Sequence, residues 1–231
     1  MYEAVHAHPD GDATAARFVA TAARHGFDGV VVRTRTAEYD PAALAEAYGP
    51  DVAVGVEVDA DAPDSASGAV GNFRRDCEVL LVAGGSPALN RFAAESPRVD
   101  VLTRPMAGDG DVNHVVAKAA RDNDVAVEVD LGPALSLSGG ERVRALRDLR
   151  KLREILDHYD APHVVSANPR SHLELRAPRE LVAVGERLGV DAEWLREGLA
   201  RWGEIAARTR RRRSDSFIAP GVERTEREEE P

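Results

Sequence analysis

The feature that most constrains this chain is a repeated alternation. Short runs of Val, Leu and Ala are separated by longer stretches whose apolar residues fall at helical spacing, seven times over. The runs are Tyr2–Val5, Asp28–Val32, Val52–Val58, Cys77–Gly84, Val99–Thr103, Val125–Leu131 and His163–Ala167. Helical patterns follow at Thr14–His25, Pro41–Tyr48, Gly68–Arg75, Pro87–Glu95, Val112–Asp122, about Gly140 to Tyr159, and Pro178–Leu188, with a last one at Asp191–Arg208. Such repetition forces parallel strand pairing, because the chain must cross back over the sheet before each new strand. Continuous apolar strands are those buried on both faces. An open doubly wound sheet and a closed barrel both satisfy the pattern. No G-x-G-x-x-G follows the first strand, so a dinucleotide fold has no positive support. The favoured reading is an α/β, TIM-barrel-like parallel barrel of about seven βα units with an extra C-terminal helix, residues 1–208 forming one domain. Functional groups of such a barrel lie at the C-terminal ends of its strands.

Residues 209–231, "TRRRRSDSFIAPGVERTEREEEP", lose all periodicity. Four Arg are followed by an acidic end, and the segment reads as a mostly disordered tail. The rest of the chain is acid-rich: forty Asp and Glu against thirty basic residues, for a net charge of −10. All the basic residues are Arg except Lys118 and Lys151. That balance suits a salt-adapted protein, in which carboxylates serve solubility, so net charge does not by itself exclude nucleic acid. No stretch approaches the roughly 18 apolar residues of a membrane span. The start carries no basic region followed by an apolar run, and Cys77 is the single cysteine. A cytoplasmic protein is the expectation, without membrane contact.

Polar groups collect at the strand ends. His6 and His8 sit at the end of the first strand, Glu57 and Asp59 at the third, Glu128 and Asp130 at the sixth. Asp109, Asp111 and His114 follow the fifth strand, and Asn168 and His172 the seventh. Residues i and i+2 of a strand point the same way, so His6 and His8 could share a metal ion. Histidines and carboxylates converging on one rim would make a metal-assisted phosphoesterase. The alternative is a pair of histidines hydrogen-bonded at the barrel mouth.

Two basic regions stand out. The long helix from Gly140 carries Arg142, Arg144, Arg147, Arg150, Lys151 and Arg153 around an apolar stripe of Val143, Leu146, Leu149, Leu152 and Leu156. It reads as a solvated helix laced by i,i+4 pairs, or as a face for a partner or phosphates. In "ELRAPREL", Pro178 opens a helix with Arg176 just before it and Arg179 in its first turn. Basic charge is unfavourable there, so two guanidiniums imply either a nearby anion or pairing with Glu174 and Glu180. Arg91, Arg104, His114 and Lys118 could extend that surface.

Several segments together resemble a known family. Asn113–Lys118 (N-H-V-V-A-K), the sixth-strand segment, Val165–Ala167 (V-S-A) and Arg176–Leu181 (R-A-P-R-E-L) resemble archaeal ribonuclease P protein component 3, the counterpart of the eukaryotic thirty-kilodalton subunit. The resemblance is carried by residues from about 100 to 200, and the acidic composition resembles the haloarchaeal branch. It implies a barrel related to the polymerase-and-histidinol-phosphatase (PHP) metallohydrolases, in which a first-strand His-x-His binds metal. It also implies a different task. Ribonuclease P removes the 5′ leader of precursor tRNA with an RNA catalyst, and divalent metal such as Mg acts through that RNA. The protein would support the RNA without doing chemistry and would hold no cofactor. Its partners would be ribonuclease P RNA, precursor tRNA through the holoenzyme, the ferredoxin-like protein component 2 and other protein subunits. By motif position the resemblance favours RNA contact for Arg91, His114, Lys118, Arg176 and Arg179. His6, His8 and His172 would be vestigial metal ligands, since Asn168 stands where a ligand is expected and Arg104 adds positive charge at the rim. The alternative is a free-standing PHP-type metal-dependent phosphoesterase.

Overall fold

A computed structural model describes residues 1–214, and beyond them the backbone of 217–219 and 222–223. Seven strands are hydrogen-bonded in sequence order into one all-parallel sheet. They are β1 (Tyr2–Val5), β2 (Gly29–Val32), β3 (Asp51–Val58), β4 (Val79–Ala83), β5 (Val101–Thr103), β6 (Ala126–Asp130) and β7 (His163–Ser166). The helices between them are α1 (Ala15–His25), α2 (Pro41–Tyr48), α3 (Pro63–Phe73), α4 (Pro87–Glu95), α5 (His114–Asp122), α6 (Gly132–Ser136) and α7 (Gly139–His158), and α8 (Pro178–Arg187) follows β7. A closing helix, α9, spans Ala192–Arg213.

Alternation along the strands produces two cores. Val5, Val30, Val32, Leu80, Val82, Leu102, Val127 and Val165 point outward and pack under the helices. Ala4, Val31, Ala53, Val79, Leu81, Val101, Ala126 and Val164 point inward. Small residues at Ala4, Ala53 and Ala126 leave room inside, and Trp202 of α9 fills it, fully buried, with Ile205 and Ala206 beside it. The Trp202 indole N–H donates to the Val165 carbonyl at 2.9 Å. α9 therefore stoppers the end where the strands begin, and the opposite end is left as the mouth.

The sheet curls until β1 meets β7, but no ladder joins them. Glu3 supplies the missing bonds. Its buried carboxylate accepts from the Ser166 hydroxyl at 2.5 Å and from the Ala167 N–H at 3.2 Å. The His6 N–H donates to the Pro169 carbonyl at 3.0 Å just above. A buried carboxylate thus closes the seam that backbone pairing leaves open.

Three boundaries differ from the sequence reading. α3 begins at Pro63 rather than Gly68, because Pro at the first helical turn starts it in the Asp/Ala/Pro/Ser stretch. α6 is an added short turn ahead of the long helix. α9 continues to Arg213, so the four-Arg run forms its last turns rather than the start of a tail. Arg210 donates to Asp51 at 2.7 Å and to Glu78 at 2.5 Å, at the starts of β3 and β4. Arg213 donates to the Cys77 carbonyl at 2.6 Å. Beyond it, Phe217–Ala219 and Val222–Glu223 pair antiparallel. The other residues of the expected disordered tail lie outside the described residues. Among the described residues, no helix is long and apolar enough to cross a membrane.

Candidate functional site

The mouth is built from residues that directly follow the strands. Register aligns Val5 with Val32, so His6 and Arg33 emerge side by side above them. Glu57 comes from β3, Arg104 follows β5, Glu128 and Asp130 come from β6, and Asn168 follows β7. The group at the centre is Arg33, 1% exposed. Its guanidinium pairs with Glu128 by both terminal nitrogens, and with Glu57 at 3.2 Å. It also donates to the Asn168 side-chain oxygen at 3.2 Å. Thr103 donates its hydroxyl to Glu128 from β5. Arg104 closes the rim, donating to Glu57 and Asp59 at 2.9 Å each.

His6 is drawn into this network as a neutral ring. Its Nε2 lies 2.7 Å from the Asn168 oxygen and 3.8 Å from Glu57. Burial, and then the Arg33 and Arg170 charges, hold its pKa down to about 4. Asn168 donates its amide to Asp130 at 3.1 Å. Burial and the adjacent Glu128 raise the Asp130 carboxyl to about 6. Asn168 sits at φ 51°, a left-handed conformation that Asn tolerates better than most residues. An Asp here would add one more carboxylate to a mouth already holding Glu57, Asp59, Glu128 and Asp130.

These residues do not fit a metal ion. Among the described residues no three His, Cys, Asp or Glu side chains are grouped to hold one. His8 is exposed, and His172 lies half-buried in the β7–α8 connection, with its Nδ1 unpartnered. Neither joins His6. A guanidinium already neutralises the carboxylates that would serve as ligands, and a cation placed beside it would be repelled. Sequence reasoning missed Arg33 altogether. The usable signal was its position, immediately after the Val30–Val32 run and level with His6.

The basic candidates separate. His114 and Lys118 lie on one face of α5, against α7. Arg91, on α4, pairs with Glu95 at 2.7 Å. Arg104 belongs to the mouth, not to their surface. Arg176 spends its guanidinium on the Leu173 and Leu175 carbonyls, at 2.9 and 3.2 Å. Glu180 accepts from the Ala177 N–H at 2.9 Å and so caps α8 from within the helix. Arg179 is exposed, and neither Arg176 nor Arg179 pairs with Glu174 or Glu180. On α7 only Leu152 and Leu156 of the apolar stripe are buried, and Val143 is 66% exposed. Its first half therefore projects from the packed core, and the i,i+4 ion pair on α7 is Arg153–Asp157, in the second half, at 3.5 Å.

Fold and mouth together define a class: a TIM-barrel-like parallel α/β barrel whose mouth is centred on a buried, ion-paired guanidinium. A family model described as RNase P subunit p30 matches residues 1–214. The chain belongs to that family, and is a protein subunit of ribonuclease P, a tRNA-processing enzyme complex. The Ribonuclease P protein component 3 of Halorubrum lacusprofundi is 65% identical over 241 residues, covering 100% of both chains. A chain in a cryo-EM structure of archaeal Ribonuclease P with mature tRNA superposes with a TM-score of 0.83 at 24% identity, covering 100% of each. Histidinol phosphate phosphatase from Lactococcus lactis, complexed with zinc, L-histidinol and phosphate, shares the fold. Its TM-score is 0.53 at 9% identity, over 82% of this chain and 94% of that one.

Proposed function

We propose that this subunit acts as a non-catalytic support for ribonuclease P RNA during removal of the 5′ leader from precursor tRNA. The observation that carries this reading is Arg33. A barrel that places an ion-paired guanidinium at its mouth has given up the position from which a bound metal would activate water. The chemistry then belongs to the RNA, with Mg acting there, and the protein contributes surface. Relatives of this chain are ribonuclease P components, and one neighbour was solved with mature tRNA. The partners of this chain are accordingly the RNA, precursor tRNA in the holoenzyme, the ferredoxin-like component 2 and the other subunits, in the cytoplasm. Arg91, His114, Lys118, Arg176 and Arg179 are candidate RNA contacts, positioning the backbone rather than reading sequence.

Reconstitution from separate components tests this. Omitting the chain should lower precursor-tRNA cleavage at limiting Mg, and Arg176→Ala with Arg179→Ala should lower it in part while the protein stays folded. Cleavage indifferent to the chain at every Mg concentration contradicts the reading.

A further inference from the structure

The chain has only two lysines, and both flank one groove. The groove runs between α5 and α7, about 520 Å³ in volume, lined by Asn113, His114, Lys151, Glu154, His158 and Tyr159 among others. That volume lies within the range of small-ligand pockets. Rings converge here in a chain that is only 5% aromatic. The His158 ring meets Tyr159 edge-on at 4.6 Å, and His114 lies tilted 6.4 Å away. His114 and His158 are both exposed, and the Tyr159 ring is half-buried between the helices. The Lys118 ammonium stands 5.4 Å from the Tyr159 ring centroid, a cation–π distance.

Charge alone does not suit this groove to a phosphate backbone. Asp111 binds Lys151 at 2.6 Å, and Glu154 is exposed beside it. What distinguishes it is stacking surface. Base–aromatic stacking is tolerant of sequence and needs no net positive charge. It also survives molar salt, where the screening length falls to about 3 Å and phosphate contacts weaken steeply. An acid-rich, salt-adapted subunit would gain most from such a contact.

We propose that the α5–α7 groove is a stacking platform for one unpaired base of the RNA, held against His114, His158 and Tyr159, with Lys118 meeting its phosphate. This rests on the RNA-support reading above and extends it to His158 and Tyr159.

The test uses the reconstituted complex with ribonuclease P RNA and three forms of the chain: wild type, Tyr159→Leu and Tyr159→Phe. Leu keeps packing and removes the aromatic face, while Phe keeps the face. Affinity is measured from low to molar salt, thermal melting checks the fold, and chemical probing reads unpaired bases. The expected result is about a tenfold loss for Tyr159→Leu with an unchanged salt slope, recovery with Tyr159→Phe, and one unpaired base newly reactive in the Leu complex. Wild-type affinity for a folded Tyr159→Leu overturns the platform and leaves the RNA-support reading standing. Loss of a protein subunit from the Leu complex, with RNA affinity intact, assigns the groove to protein and overturns the proposal. Failure of the wild-type chain to join the RNA overturns both.

Discussion

The guanidinium of Arg33, from the end of β2, lies over the indole of Trp202, from α9, with 5.6 Å between its central carbon and the ring centroid. The two residues come from opposite ends of the barrel. Trp202 fills the interior from below, and Arg33 rests on it while gathering the carboxylates of the mouth. The cation at the mouth and the stopper at the base are therefore one packed unit, and α9 carries part of the site although its residues are far from it in sequence.

Arg33→Met should destabilise the protein by about 3–5 kcal/mol, because the buried Glu128 is left charged without its ion pair and Glu57 keeps only Arg104. Adding Glu128→Gln should recover part of that loss, since it removes one stranded charge. Urea unfolding at fixed salt measures both. A near-neutral Arg33→Met variant would mean that water already reaches these carboxylates.

The Arg run should divide by residue. Arg210 bridges Asp51 and Glu78, whereas Arg212 is exposed, with no ion-pair partner among the described residues. Arg210→Ala should lower stability by about 1 kcal/mol, a modest effect because the pair is part-exposed, and Arg212→Ala by almost nothing. Equal effects would remove the bridge from the account.

Two opposing titrations should appear in stability against pH. Burial holds the His6 and His163 pKa values down to about 4 from 6.5. The unfolded chain takes up those protons first, so this stability is present above pH 6.5 and is lost as pH falls toward 4. Burial pushes Glu3 up to about 7 from 4.5, and its contribution runs the other way, full below 4.5 and lost as pH rises toward 7. Asp130, raised from 3.8 to about 6, adds to this second arm, and Glu3→Gln removes only the Glu3 share of it. The unfolding midpoint of Glu3→Gln should therefore gain on wild type between pH 5 and 7.5, whatever its absolute stability. Parallel curves would show that Glu3 is not titrating inside the fold.

Much of the fold was legible because the strands are unbroken apolar runs and the helices begin at marked residues. Pro41, Pro87 and Pro178 each open a helix where they stand in the sequence. The end of α9 was not legible, since four consecutive Arg show no periodicity. They are helical because Asp51 and Glu78 wait at the strand starts, a tertiary fact. Of the mouth, His6, Glu57, Glu128, Asp130 and Asn168 were findable as polar residues at strand ends. Arg33 was not, because a lone Arg after a Val run looks like a solvent-facing end. Its partners lie 24, 95 and 135 residues away, and only barrel closure brings them together. His8 and His172 stand apart from His6, since the loops that carry them do not bring them to the mouth.

The central claim is that the barrel serves an RNA rather than a metal. The most direct measurement is to purify the tagged chain from its own cells at native salt, sequence the RNA that accompanies it, assay that material on precursor tRNA, and measure metal in the protein after the RNA is removed. The account predicts one structured RNA, leader cleavage that depends on it, and no stoichiometric metal left on the protein. An RNA-free protein carrying one equivalent of metal and hydrolysing phosphate esters would contradict it.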